Sequence, residues 1–197
     1  MNEYEALGSA NEAEASEFYV SVDVETAGPN PSQYSLLTIG ACTLNERPRT
    51  FYVELQPVND KMTSEAFAIH HLDLKRLADK GLAPAKAMKS FEDWLAAETP
   101  QEKQPVFISF DAPFEWMFVN DYFHRFLGKN PFGTSALDIK AFFMGMSGGL
   151  WTQTSMQTLL TRYLNHEEIT HHALRDALDQ AEIFAKMLGE VNSARQK

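Results

Sequence analysis

Cysteine is almost absent from this chain: there is one, Cys42, in 197 residues. A single thiol excludes a disulfide framework and a cysteine-rich zinc site, and it fits a reducing compartment such as the cytoplasm. Basic residues are also scarce, with 17 Lys and Arg against 27 Asp and Glu and a formal net charge of −10. Taken alone, that balance argues against a protein that grips long nucleic acid through a basic surface. Long apolar runs are missing too, and none approaches the roughly 18 residues that span a bilayer. The opening MNEYEALGSANEAEASE lacks both the basic n-region and the apolar h-region of a secretory signal, so no membrane partner is expected. What is present is an ordinary globular composition, 44% hydrophobic and 22% charged, at a length that suits one domain with a proper core.

Residues 1–17 carry five glutamates and no basic residue, and read as an acidic leader without helical or strand periodicity. The pattern then changes. Phe18, Val20, Val22 and Val24 alternate with Tyr19, Ser21, Asp23 and Glu25, which is the period of a strand. Two further β-rich runs, Tyr34–Leu44 and Thr50–Leu55, follow across short turns and complete an antiparallel meander. Helices are expected over Thr63–His71, Asp73–Lys80 and Pro84–Glu98, the last with Pro84 in its first turn and an apolar face through Ala87, Met88, Phe91, Trp94 and Leu95. Val106–Phe110 reads as a buried central strand leading into a helix over Ala112–Leu127. A short strand at Ser135–Asp138 and helices over Ile139–Met146, Ser155–Leu164 and Ala173–Leu188 close the chain. The fold class is therefore α/β: one domain over residues 18–190, a mixed sheet flanked by helices, with residues 191–197 as a tail.

Five residues stand out chemically. Asp23 and Glu25 sit two apart near the end of the first strand, so both side chains project from the face opposite Val22 and Val24. Converging carboxylates repel, and a hard divalent cation such as Mg²⁺ or Mn²⁺ offsets that cost. Asp111 follows the central strand directly, at the carboxyl end of the sheet where ligands of α/β folds gather. His171 precedes the last helix and Asp176 lies in its first turn. Each has an ordinary explanation by itself: chance for Asp-x-Glu, a helix cap for Asp111, the helix dipole for Asp176, an idle loop position for His171.

Together they resemble the DEDDh 3′–5′ exonucleases, the DnaQ-like branch of the ribonuclease H-like fold that includes the proofreading epsilon subunit, ribonuclease T and oligoribonuclease. Val22–Gly28 is similar to that family's first motif, Ser109–Phe114 to its second and His171–Ala177 to its third. Ile69-His70-His71-Leu72 resembles a family segment beside the bound 3′ nucleotide. The chain departs from the pattern in places. Relatives often carry an Asn a few residues before the second-motif aspartate, and the stretch before Asp111 has none. Ala27 stands where a second Thr is commoner, and His71 where Gly is usual.

The resemblance implies a nuclease with two Mg²⁺ (or Mn²⁺) held by Asp23, Glu25, Asp111 and Asp176, with His171 as general base. Glu25 and the backbone at Thr26 and Ala27 would lie near the 3′ hydroxyl of a single-stranded nucleic acid, DNA or RNA. Ile69, His70, His71, Leu72 and Phe114 are the candidates for base contact, with Trp116 and Trp151 behind them. For Asp138 the expectation is a cap or turn role. Some relatives pair to complete their binding surface, so a homodimer is one expectation. The alternative is a catalytically degenerate binding module of the same fold. Charge does not exclude the enzyme: the leader supplies five of the ten net negatives and the proposed ligands four more. The remainder is nearly neutral, which suits short single strands gripped mainly through metal.

Overall fold

The computed structural model describes residues 17–165 and 169–195, so the acidic leader up to Ser16 lies outside the described residues. Five strands form one sheet: β1 (Phe18–Thr26), β2 (Leu36–Thr43), β3 (Thr50–Glu54), β4 (Pro105–Ser109) and β5 (Ala136–Asp138). Their spatial order is β3-β2-β1-β4-β5. The first three pair antiparallel, as the short connections require, whereas β4 joins β1 and β5 joins β4 in parallel. β1 is therefore the central strand. Its carboxyl end points the same way as the end of β4, and the two edges of the candidate site start there.

Seven α-helices complete the described residues: α1 (Ser64–His70), α2 (Leu74–Lys80), α3 (Pro84–Glu98), α4 (Ala112–Leu127), α5 (Ile139–Ser147), α6 (Met156–Leu164) and α7 (Ala173–Arg195). The alternation in β1 sends Val20, Val22 and Val24 into a core with α3 and α4, built on Phe91, Phe107, Phe118 and Phe123. Phe91 and Phe123 stack with centroids 5.5 Å apart, and Phe107 meets Phe132 edge-on at 5.2 Å. On the opposite face Ile108, Ile139, Phe143, Leu159, Ile183 and Phe184 pack β4 against α5, α6 and α7. Every residue of β2 is buried, which is what a strand covered on both faces requires. The short helices α1 and α2 sit at the site end, capped by the side chains of Thr63 and Asp73.

One boundary differs clearly from expectation. The last helix passes Leu188 and runs to Arg195, so the segment read as a tail begins as helix. A lone glycine, Gly189, costs a helix only about 1 kcal/mol. That cost is opposed by anchors near the helix's far end, where Lys186 Nζ donates to the Tyr163 carbonyl at 2.6 Å and Arg162 pairs with Glu190 at 3.2 Å.

Phe91 is fully buried at the junction of α3, β3 and α4. Phe91→Ala should lower the free energy of unfolding by about 3–5 kcal/mol, measured by urea denaturation.

Candidate active site

The end of β1 presents Asp23 and Glu25 on the face that receives α7, opposite the buried Val22 and Val24. Asp23 Oδ1 accepts a 2.7 Å hydrogen bond from Gln180 Nε2 on α7. The other end of that amide accepts from the Phe110 N–H at 3.0 Å. Gln180 thus ties β1, the end of β4 and α7 into one frame. Asp176, one helical turn earlier, is buried; its Oδ1 accepts from Thr170 Oγ1 at 2.8 Å and its Oδ2 from the His172 N–H at 3.2 Å. Glu25, His171 and Asp176 each place a ligand atom within 4.8 Å of the others. His171 is exposed and holds φ of 51°, a left-handed conformation unusual for a side chain of this size.

Electrostatics mark the same spot. Burial, then the charges of Asp23 and Asp176, push the Glu25 carboxyl up to about 9. Burial and Asp176 also raise Asp23 well above the usual carboxylate range, against the opposing hydrogen bond from Gln180. Carboxylates forced together in this way are the donor set of a hard divalent cation, which reverses the local charge. The residues therefore fit the metal that the resemblance implies.

Asp111 lines the same cavity as Asp23, Glu25 and Asp176 but lies outside the close group of Glu25, His171 and Asp176. It stands at the N-cap position of α4 without a capping hydrogen bond, exposed, with Lys140 Nζ 3.8 Å from its carboxylate. The cap is supplied instead by Asp138, whose Oδ2 accepts from the Ala112 N–H at 2.9 Å and whose Oδ1 accepts from the Ala141 N–H at 2.6 Å. Glu115, a turn further into α4, lines the cavity too and is deeply buried, with its pKa raised by burial first, then by Asp23 and also by Asp111. Its Oε2 is buried and has no hydrogen-bond partner among the described residues. Sequence reasoning missed Glu115 and Gln180. Both carried a signal: each is a polar residue on the buried stripe of its helix, beside Phe118 and Val119 in α4 and beside Ala177 and Ala181 in α7.

These groups line a cavity of about 670 Å³. Thr26, Ile69, His70, Phe110, Phe114 and Met156 form much of its wall. Ile69 is half exposed there, while Phe114 also packs on Phe118 at 5.4 Å. Three of the expected substrate contacts, Ala27, His71 and Leu72, do not line this cavity. Ala27 is fully buried with its N–H given to Ser35 and its carbonyl to Thr63. Leu72 packs beside Ala27, Leu37 and Leu77, and His71 caps α1 against Phe67. The Thr26 hydroxyl donates to the Gly28 carbonyl at 2.9 Å, shaping the turn after β1. Trp116 is core, edge-on to Phe107 at 5.3 Å, whereas Trp151 stays half exposed over Lys140 at 4.5 Å.

The sequence profile of the RNase T exonucleases matches residues 20–184. The chain belongs to that exonuclease family. Over 168 residues the exonuclease is 40% identical to the 3′-5′ DNA exonuclease Cap18 of Escherichia coli, covering 85% of this chain and 90% of the relative. Its fold is that of the nuclease domain of 3′hExo, a DEDDh family member solved with rAMP, at a TM-score of 0.74 and 18% identity over 89% of this chain and 93% of that one. Exonuclease I of E. coli in complex with a dT13 oligonucleotide superposes with a TM-score of 0.68 at 16% identity, over 91% of this chain and 42% of that one. The ribonuclease H-like α/β fold and the class of enzyme, a DEDDh-type 3′–5′ exonuclease, agree with the motif reading. Divalent-metal dependence comes with the family. Among the described residues no helix is long and apolar enough to cross a membrane.

One wall residue responds to pH. His70 Nδ1 accepts from the Leu72 N–H at 2.9 Å, which leaves Nε2–H to donate to the Thr26 carbonyl at 3.1 Å. Burial, followed by the nearby His71 and His171, lowers its pKa below the ordinary 6.5 despite the Thr26 contact. The neutral ring is the folded form, so its stabilisation is complete above that ordinary value and is lost as pH falls below it. Wild type should lose stability relative to His70→Gln between about pH 7 and pH 5, measured by thermal unfolding.

Proposed function

We propose that this 3′–5′ exonuclease hydrolyses the terminal phosphodiester of single-stranded nucleic acid and releases nucleoside 5′-monophosphates. Asp23, Glu25, Asp176 and Glu115 would hold two divalent cations, Mg²⁺ or Mn²⁺. The observation that carries this reading is the convergence of buried, mutually raised carboxylates beside an exposed histidine at the end of the central strand. When bound, such ions supply Lewis-acid stabilisation of the charge that develops on the phosphoryl oxygens. His171, open to water and within reach of Glu25 and Asp176, takes the proton of the attacking water. Attack at phosphorus forms the new P–O bond as the bond to the 3′ oxygen of the preceding nucleotide breaks. The apolar wall at Ile69 and Phe114 receives the terminal base.

Taking Glu115 as the second-motif carboxylate also accounts for the missing Asn. Asp111 lies four residues ahead of Glu115 and has the size and shape of an asparagine. DNA is the favoured substrate, since the 40%-identical relative is named as a DNA exonuclease. The absence of a basic surplus supports short strands over long duplexes.

Asp23→Asn, Glu115→Gln and His171→Ala should each lower kcat on a short single-stranded DNA by two or more orders of magnitude with the fold retained. Asp111→Ala should cost less than about tenfold. Full activity in Glu115→Gln alongside inactive Asp111→Ala would return the fourth ligand to Asp111. EDTA should abolish turnover and Mg²⁺ or Mn²⁺ restore it; metal-independent hydrolysis would overturn the mechanism. Matched DNA and RNA oligonucleotides, compared by kcat/KM, test the sugar preference.

A further inference from the structure

Three residues lie in a row across the sheet at the level of the site: Tyr52 on β3 opposite Gly40 on β2, and Gly40 opposite Asp23 on β1. Directly opposed residues share a face of a sheet, here the face that receives α7. The middle member has no side chain, and the start of α7 fills the gap. A Cβ on Gly40 would lie 2.2 Å from the Ala173 carbonyl carbon and 2.2 Å from the Leu174 nitrogen. Backbone is seated against backbone at this notch, and the notch holds the helix by its two rims. On the Asp23 rim, Gln180 Nε2 donates to the carboxylate at 2.7 Å. On the other rim, the Tyr52 ring stacks on the His172 imidazole, with centroids 4.9 Å apart and planes inclined by 21°.

His172 is the residue between the left-handed His171 and the helix. Its carbonyl accepts from the Arg175 and Asp176 N–H groups, and its own N–H donates to Asp176 Oδ2. The ring is thus pinned by Tyr52 and the backbone by the first turn of α7, so the φ of 51° at His171 is held from its C-terminal side. Tyr52 is itself braced: its hydroxyl contacts Glu54 at 3.5 Å, and Glu54 receives both terminal nitrogens of Arg76 at 2.9 and 2.6 Å. Tyr52, His172, Glu54 and Arg76 do not touch the reacting phosphate in the proposed mechanism.

We infer that Tyr52 is a positioning residue. Its stack on His172, across the Gly40 notch, fixes the segment that carries His171 and Asp176 in the geometry the reaction needs. This inference rests on the assignment of His171 as general base. The two adjacent histidines then have separate roles, His171 in proton transfer and His172 as the anchor.

The test uses the full chain with a short single-stranded DNA and Mn²⁺. Tyr52→Phe keeps the ring and should stay within about twofold of wild type. Tyr52→Leu and His172→Ala should lower kcat roughly 10- to 100-fold while KM moves less than about threefold, because a misplaced base slows chemistry without loosening substrate. Proton NMR gives a readout independent of turnover. The stacked Tyr52 ring should shift the His172 ring protons, and the shift should be present in Tyr52→Phe and lost in Tyr52→Leu. Wild-type kcat in a folded Tyr52→Leu, or an unchanged His172 resonance, would overturn the inference. Gly40→Ala should be worse than either single-rim change, since it displaces the backbone itself; should it fail to fold, the Tyr52 series still decides. His171→Ala separates the two readings. If it is inactive while Tyr52→Leu is fully active, only the positioning role falls. If His171→Ala is fully active, the general-base assignment falls with it.

Discussion

Four carboxyl groups crowded at the end of β1 repel one another, and much of the fold exists to hold them there. Asp23 and Glu25 share one face of the central strand, Asp176 descends onto them from α7, and Glu115 approaches from α4. Left to themselves such groups would separate or take up protons: burial first, and neighbouring carboxylates second, raise the pKa of Asp23, Glu25 and Glu115. They stay together because two hydrophobic layers clamp the sheet from both sides. The aromatic core under α3 and α4 and the mixed aliphatic and aromatic core under α5, α6 and α7 provide a rigid frame whose stability is drawn on at the site. A cluster of buried carboxylates of this kind is a local instability that the rest of the chain tolerates.

Hydrogen bonds refine what packing brings near. Gln180 is the clearest case, because a single amide serves Asp23 with one end and the Phe110 N–H with the other. Asp138 plays a similar double role at the entrances of α4 and α5, which leaves Asp111 without a capping role and turned toward Lys140. In α/β folds the strand ends are where ligands collect. Here the same ends are where polar side chains must be satisfied. Asp23, Asp176 and Gln180 find backbone or side-chain partners, whereas Glu115 Oε2 has none among the described residues.

The candidate substrate wall shows how local resemblance and tertiary context diverge. Four consecutive residues, Ile69 to Leu72, look equivalent as a segment. In the structure Ile69 faces the cavity, His70 is occupied by Thr26 and Leu72 backbone groups, His71 ends α1 in a left-handed turn, and Leu72 joins a small core. Helix geometry sends successive residues to different faces. Of this contiguous segment, Ile69 and His70 line the cavity.

What the amino-acid sequence determined by itself was the element order, the antiparallel meander followed by parallel strands, and four of the five groups that build the cluster. Period-two and helical apolar patterns are local, and so is the Asp-x-Glu placement on one strand face; both are legible without tertiary information. The burial of Glu115 was signalled only by its place on the apolar stripe of α4. How deeply Asp111 and Glu115 are buried depends on how α4 is rotated about its axis against the sheet, and that rotation is set by Phe118, Val119 and Tyr122 finding their places in the core. The seat of α7 on Gly40 is likewise a contact between residues more than 130 positions apart in the chain. Only the packed structure decides such contacts, because they depend on the exclusion of one backbone by another and leave no period in the sequence.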